Sequence, residues 1–589
     1  MIDKTTVKNY GIYFLPLVFL GFAVYLSALH GKFVWDDYAI IVENPKLKDL
    51  GNVFSVFTKN IGAGPSATSD FYRPLQDVTN FLDYAFWGLH PFGYHLTSVF
   101  LHLLVVLSVF VLTECLYGDR KLAFLTALFF AVYPGHTEAV AYIAGRSDLL
   151  SALFMLWAFI LYLRCLKTGA PKFLLFSLLS CGLALLSKEN AVIFPALLLL
   201  YHVAFRVKIR WRMLVFFLSL AVVYAVMKIS APHFPLSLRT TLQRLPGFFG
   251  AMAGYTRLLL FPSNLHMDYG NPQFAWADRR VLAGLAVFGF LLVAGGLSCK
   301  RHRLVFFSIG WFLIALSPTS GICPPTGFYM AEHWLYFPSV GFFSLLAACL
   351  LKLFRYERLK FAAIFLIGAI TVFYSWSTFK QNRYWRDPET VYRRTLQLTP
   401  SSYMAHVNLG SEYLKNRDYP KAMAEFFSAI QIKPDYAVAY HNICQIYVIL
   451  GRAEEAVRLC RRTTELDPTM QSAYFFLGGA YEQLGRPEEA LQSFQKTVEV
   501  DPAYFAAYNK LGKIYVEKGQ EDLAEASWKK ALQANPGSYE AHYNLTILYY
   551  RQGRYDLAIR HCDDILRSGG HIDPTFLQQL ERRRGSLNR

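Results

Sequence analysis

Apolar runs long enough to cross a bilayer recur from residue 11 to about residue 380 and then stop. A crossing needs about 20 apolar residues, because the hydrocarbon core is about 30 Å thick and a helix rises about 1.5 Å per residue. Such runs lie at 11–29, 94–117, 122–143, 147–166, 172–187, 190–206, 213–229, 280–299, 304–323, 337–355 and 360–380, with 246–262 ambiguous. Beyond residue 385 the sequence becomes amphipathic with helical spacing and no run that could span. The expectation is an all-α chain: a polytopic membrane domain of about 11 spans over 1–383, then a helical, water-exposed domain over 384–589. Only 17% of the residues are charged, against roughly 25% in soluble domains, which argues against a wholly soluble enzyme and against disorder. The first run lacks a signal-peptide n-region and a small-residue cleavage site, so it is expected to be a retained helix.

Charge orients the spans. Up to residue 380 there are 32 Lys and Arg against 17 Asp and Glu, and from 381 onward 27 against 25, so the net charge of +17 divides as +15 and +2. A basic excess confined to the apolar part reads as cationic loops on one side of a bilayer and not as a nucleic-acid surface. Five clusters are expected in the cytoplasm: Arg120/Lys121, Arg164/Lys167/Lys172, Arg206/Lys208/Arg210/Arg212, Lys300/Arg301/Arg303 and Arg355/Arg358/Lys360. One parity satisfies all five if 246–262 lies in the interface or re-enters. The N-terminus is then cytoplasmic and the C-terminal domain lies outside. Of the 17 early acids, 13 fall in or beside loops on that outer side, among them Asp36, Asp37, Asp70, Glu138, Asp148, Glu189 and Glu332.

The C-terminal domain repeats every 34 residues: Pro400, Pro434, Pro468, Pro502 and Pro536; Tyr413, Tyr447, Tyr481, Tyr515 and Tyr549; Ala422, Ala456, Ala490, Ala524 and Ala558. Small residues at Gly410, Cys444, Gly478, Gly512 and Thr546 let two antiparallel helices approach closely, and the prolines close each unit. This is the period and pattern of the tetratricopeptide repeat, an α-solenoid. Residues 385–400 read as an isolated second helix joining the last span to about five repeats, and 573–584 as a capping helix. Cys444 and Cys460 are expected to be small packed residues and not a disulfide. A stacked array offers a concave surface for an extended segment, expected to be lined by Asn408, Tyr440, Asn442, Tyr474, Tyr508 and Asn544; the alternative is that these residues pack repeat on repeat.

The first outer loop, 30–93, opens with Phe33-Val34-Trp35-Asp36-Asp37. Adjacent carboxylates at a bilayer edge are costly to desolvate, so one can hold a raised pKa suited to a general base; the alternative is a helix cap or a solvated pair. More polar groups stand at the outer ends of spans: Arg73, His136, Glu138, Arg146, Lys188, Glu189, Glu332 and His333. A charge at mid-span costs roughly 2.5–3.5 kcal/mol, so border charges snorkel, pair or serve a site. Arg73, Arg146 and Lys188 suit a phosphate, with His136, Glu138, Glu189 and Glu332 as supporting polar groups. His90, His95 and His102 are spaced too widely for a metal, and no Gly-rich phosphate loop, Ser-His-Asp set or HExxH motif is present. No cofactor is required by this reading, and a divalent metal has no ligand motif behind it.

In this order the motifs at 33–37 with Asn44, 72–75 followed by 94–96 and His102, 136–140, 145–149, 187–189 and 335–341, ahead of a repeat array, resemble the transmembrane and tetratricopeptide-repeat O-mannosyltransferase family and its bacterial relatives. The resemblance covers almost the whole chain. It implies a type-C glycosyltransferase membrane domain, a polyprenyl-phosphate-linked sugar as donor, and one-step transfer of a mannose-like hexose to a protein hydroxyl. Asp36 and Asp37 match the family's loop acids. Where relatives tend to read Glu-Arg before an aliphatic-Tyr-Leu-Pro-Ser run, this chain has Glu332-His333, so an imidazole replaces a permanent cation in the donor-phosphate set. The partners implied are the lipid-linked sugar, a protein or peptide held by the repeats, and the bilayer, with no nucleic acid. The location implied is a bacterial inner membrane with the repeats in the periplasm. Two alternatives are a non-enzymatic scaffold that recruits partners through its repeats, and a transferase acting on an envelope glycan or lipid.

Overall fold

The computed structural model describes residues 4–57, 72–229, 238–270, 272–320 and 329–587. Asp70 and the last residues of the 304–323 run lie outside them. Helices make up the described chain, with no β-strand among those residues. They fall into two compact units, Met1–Ala405 and His406–Arg589.

Among the described residues of the first unit five helices are long and apolar enough to cross a membrane: Tyr10–His30, Pro91–Tyr117, Ile143–Thr168, Arg279–Ser298 and Glu357–Trp385. Five shorter apolar helices accompany them: Pro171–Ser187, Glu189–Phe205, Trp211–Met227, Arg303–Thr319 and Ser339–Phe354. The apolar windows of Pro91–Tyr117 and Ile143–Thr168 are 61% and 67% buried, whereas those of Arg279–Ser298 and Glu357–Trp385 are 22% and 11% buried. The first pair is the core and the second the rim. Phe290, Leu292, Val293 and Leu297 on one rim helix, and Phe361, Phe365 and Val372 on the other, stand exposed, a surface suited to lipid tails and costly in water.

The run at 122–143 departs from the expected single span. Its α-helix is Arg120–Val132, 13 residues, or about 20 Å, short of the roughly 30 Å that a crossing needs. Pro134 lacks the N–H that a helix would use, and the chain turns through Pro134–His136 into the short helix Thr137–Ala141. Residues 122–153 are almost wholly buried, so this irregular backbone is wrapped in protein, the condition under which it is tolerated at membrane depth. The ambiguous 246–262 segment forms part of the helix Leu238–Leu260, which carries Arg244 and Arg257 and packs on Arg279–Ser298. A Cβ on Gly284 would lie 1.7 Å from the Phe249 carbonyl oxygen, so only glycine permits this approach. Asp387 caps the helix Pro388–Leu398 through the Thr390 N–H at 2.9 Å.

The second unit is built from helix pairs. Tyr419–Ile432 follows Tyr403–Lys415, and then come Ala437–Ile449 with Ala453–Leu466, Gln471–Gln483 with Pro487–Val500, Phe505–Glu517 with Glu521–Ala534, and Tyr539–Arg551 with Tyr555–Arg567, ahead of a final helix Pro574–Leu587. An aromatic ring of the second helix lies over a glycine of the first: Phe426 on Gly410, Phe494 on Gly478, Trp528 on Gly512, each too close to leave room for a Cβ. In the second pair the same two positions are Cys444 and Cys460. The structure joins them as a disulfide with Cα atoms 5.5 Å apart, which corrects the expectation of two unlinked small residues. With no ring to fill the gap, two sulfurs fill it.

Candidate active site

Trp35 takes φ 56°, a left-handed conformation rare for a bulky residue. The strain sets the following pair apart. Asp37 turns inward and is 1% exposed; its carboxylate accepts from the N–H of Val34 and of Ala144, both at 2.9 Å. Asp36 stays exposed, and its Oδ2 accepts from the Tyr142 hydroxyl at 2.9 Å. Tyr142 stacks on Trp35 and on Trp385, ring centroids 5.6 Å apart in each case. The protein packed around its inner side raises the Asp36 carboxyl although the residue keeps an exposed edge, opposed by the Tyr142 hydrogen bond and the Arg73 charge, and full burial pushes Asp37 up to about 8. Asp37 therefore ties the loop to the 143–146 turn, and Asp36 is the carboxylate of the pair that keeps an exposed edge.

Each expected cation has a carboxylate partner. Arg73 Nη2 donates to Glu189 Oε1 at 3.1 Å, and its Nη1 faces Ser147 Oγ at 3.4 Å. Lys188 Nζ contacts both oxygens of Asp148 at 2.8 Å. His333 Nδ1 lies 2.9 Å from Glu138 Oε1, and its backbone N–H donates to Glu138 Oε2 at 2.9 Å. Lys188, Asp148 and His333 line one narrow cleft with Asn190, Trp334 and Phe337. Arg73 sits beside it, within electrostatic reach of Asp36 and of Asp148.

Two expected donor-site residues are drawn elsewhere. Arg146 is 0% exposed and is held by Asp83 at 2.7 Å, the Tyr94 carbonyl at 2.9 Å, Thr79 at 3.1 Å and Asn80 at 3.2 Å. A guanidinium enclosed in this way fastens the helix Pro74–Trp87 to the core and cannot reach a phosphate. His136 is also 0% exposed. Its Nδ1–H donates to the Phe130 carbonyl at 2.9 Å and its Nε2 lies 3.0 Å from Ser339 Oγ, so both nitrogens serve packing. Glu332, 1% exposed, accepts from the His266 N–H at 2.5 Å and the Tyr269 hydroxyl at 2.7 Å. Burial and the neighbouring Glu138 charge raise its carboxyl well above the usual range.

Among the residues expected to line the array, Asn408, Tyr440, Asn442, Tyr474 and Asn544 are half-buried. Tyr508 is buried, and Lys530 lies over its ring at 5.7 Å; it packs within the array and drops out of the surface. The Tyr440 hydroxyl donates to the Pro434 carbonyl at 3.0 Å.

Residues absent from the expected site also take part: Tyr142, Trp35, Trp385, Asp83, Asp148, His266 and Tyr269. Asp83 left a signal, because Gln76, Asn80 and Asp83 make one polar stripe at helical spacing along Pro74–Trp87 and all three are buried. Tyr142 left none, since only the fold brings it to Asp36.

A family profile described as dolichyl-phosphate-mannose-protein mannosyltransferase matches residues 84–229, and tetratricopeptide-repeat profiles match 437–470, 483–519 and 509–571. Protein O-mannosyl-transferase TMTC3 of Homo sapiens is 26% identical over 486 residues, covering 74% of this chain and 53% of that protein. Protein O-mannosyl-transferase F38B6.6 of Caenorhabditis elegans is 28% identical, covering 72% and 63%, and TMTC1 of Homo sapiens 28%, covering 71% and 55%. The chain thus spans about half to three-fifths of the length of these relatives. The matches agree with the resemblance read from the motifs. Among solved structures, that of MamA covers 27% of this chain at 22% identity with a TM-score of 0.26.

Proposed function

We propose that the chain is a membrane glycosyltransferase that moves a mannose-like hexose from a polyprenyl-phosphate donor to a hydroxyl of a protein on the extracytoplasmic side. The observation that carries this reading is the placement of an exposed, raised-pKa carboxylate, Asp36, within electrostatic reach of Arg73 beside the cleft that holds Lys188 and His333.

In the proposed step the acceptor oxygen attacks the anomeric carbon, its proton passes to Asp36, and the bond from that carbon to the phosphate oxygen breaks, releasing polyprenyl phosphate. Arg73, Lys188 and His333 are the groups assigned to the growing phosphate charge. Glu189, Asp148 and Glu138 hold these groups in place until the donor arrives. Trp35, half-buried and backed by Tyr142 and Trp385, is the aromatic ring assigned to the C–H face of the sugar. General-base help is worth about 10²–10⁴-fold.

The proposed location is an inner membrane with a cytoplasmic N-terminus and the repeats outside. The five cationic clusters support it, and so does the Cys444–Cys460 disulfide, since such bonds persist in oxidising compartments. The test is incubation of purified protein with a polyprenyl-phosphate-linked mannose and a protein mixture. Release of polyprenyl phosphate together with hexose on protein is expected. Release with hexose only on glycan or lipid would reassign the acceptor, and no release from any lipid-linked hexose would leave a scaffold.

A further inference from the structure

The last helix pair of the repeat unit departs from the three middle pairs at three positions, at one of which the first pair also carries a histidine, His406, hydrogen-bonded to Glu425. Where the three middle pairs carry Tyr440, Tyr474 and Tyr508, the last carries His542; where they carry Arg462, Lys496 and Lys530, it carries Asp564; and His561 stands between. These exchanges gather three metal-ligand side chains at one point.

His542 sits in the first turn of Tyr539–Arg551, behind the Ser538 cap. His561 and Asp564 lie three residues apart on Tyr555–Arg567, hence on one face of that helix. The two Nδ1 atoms are 2.9 Å apart, Asp564 Oδ2 is 3.9 Å from His542 Nδ1, and the three ligand atoms all lie within 4.8 Å of one another. His542 Nε2–H donates to the Pro536 carbonyl at 2.9 Å. That bond fixes the tautomer, so the Nδ1 lone pair points at His561 and Asp564, the carbonyl support that metal-binding histidines usually have. The His561 ring stacks on Tyr549 at 5.7 Å, and Tyr549 is itself anchored by donating to Glu525 at 2.9 Å. For His561 to offer an Nδ1 lone pair as well, its ring takes the tautomer with the proton on Nε2.

We propose that His542, His561 and Asp564 bind one divalent transition-metal ion of the zinc class, stapling the two helices of the last repeat. Two nitrogens on a tetrahedral zinc stand about 3.3 Å apart, since each bond is about 2.0–2.1 Å. The present spacing opens to that value by a small rotation of His561, with water in the fourth position. The end of a stacked array is where fraying starts, because the terminal pair has a neighbour on one side only. Without metal, His561 Nδ1–H donates to His542 Nδ1, and the pair is a plain hydrogen bond.

The test uses the full chain purified in detergent, stripped with chelator and titrated with Zn²⁺ alone, with Mg²⁺ as control. One Zn²⁺ per chain at submicromolar affinity is expected, with a rise in the melting temperature of the repeats, and no response to Mg²⁺. His561→Gln is expected to weaken the site at least about 10²-fold. If that variant melts early in chelator, Asp564→Asn, on a half-exposed side chain, gives the same comparison. No submicromolar zinc in the wild type, or equal zinc affinity and stoichiometry in the variants, would overturn the proposal and leave the hydrogen-bonded ring pair.

Discussion

Asp36 and Asp37 are neighbours in sequence and opposites in environment, and the difference predicts different failures. Asp36→Asn is expected to reduce sugar transfer about 10²-fold or more while the protein still folds, measured as polyprenyl phosphate released. Because Asp36 must be ionised to act and its carboxyl is raised, wild-type transfer is expected to fall as pH drops through a pKa above the ordinary value of about 3.9. For Asp37 the linkage concerns stability. Its carboxyl stands near 8 in the folded chain against about 3.9 unfolded, so the folded state holds the extra proton between those values and its stability declines as pH rises from about 4 to about 8. Asp37→Asn is expected to flatten that slope in thermal unfolding, with little change in the chemistry. Arg146 belongs with Asp37: Arg146→Met strands the buried Asp83 and is expected to cost about 3–5 kcal/mol, and adding Asp83→Asn is expected to restore part of the lost folded yield. The residue types at the outer border were legible in the sequence, but their partners were not. Arg146 and Lys188 read alike until the fold encloses one and opens a cleft beside the other.

At the scale of elements, the first helix of each pair in the array ends at a residue of positive φ: Gly451, Gly485, Gly519 and Gly553 at 66–73°, with Arg417 at 59° in the equivalent place of the first. A non-glycine residue there costs roughly 1–2 kcal/mol, so Arg417→Gly is expected to raise the stability of the first pair by up to about 1 kcal/mol, read from hydrogen exchange at 403–432. The disulfide makes a second prediction. Reduction, or Cys444→Ser, is expected to lower the stability of the repeats by about 2–4 kcal/mol in a chemical denaturation series. Its position was readable, because 410/426, 444/460, 478/494 and 512/528 are the same two places in successive repeats, each 16 apart. What spacing does not say is whether two facing sulfurs pack or bond. The short Arg120–Val132 helix was readable too, since Pro134 lies within the 122–143 run, but hydropathy has no term for backbone wrapped in protein.

For the whole molecule, the proposed topology puts both the base and the repeats outside the cytoplasm. Cysteines introduced at exposed positions of the array are expected to react with a membrane-impermeant reagent in intact spheroplasts, and labelling only after lysis would reverse the orientation. Deleting 406–589, the second compact unit, is expected to leave hydrolysis of the lipid-linked donor and to abolish transfer to protein. Undiminished transfer would remove the repeats as the acceptor platform.

The sequence by itself determined the class of both parts, because a bilayer demands long apolar runs and a solenoid demands a fixed period, and both are one-dimensional constraints that a chain displays directly. It also marked the polar residues at the span ends. Tertiary structure alone decided which of them are enclosed and which stay open. That choice depends on contacts between residues far apart in the chain, such as Tyr142 with Asp36 and Arg73 with Glu189, and the spacing of residues within one motif carries no record of what another element will place against it.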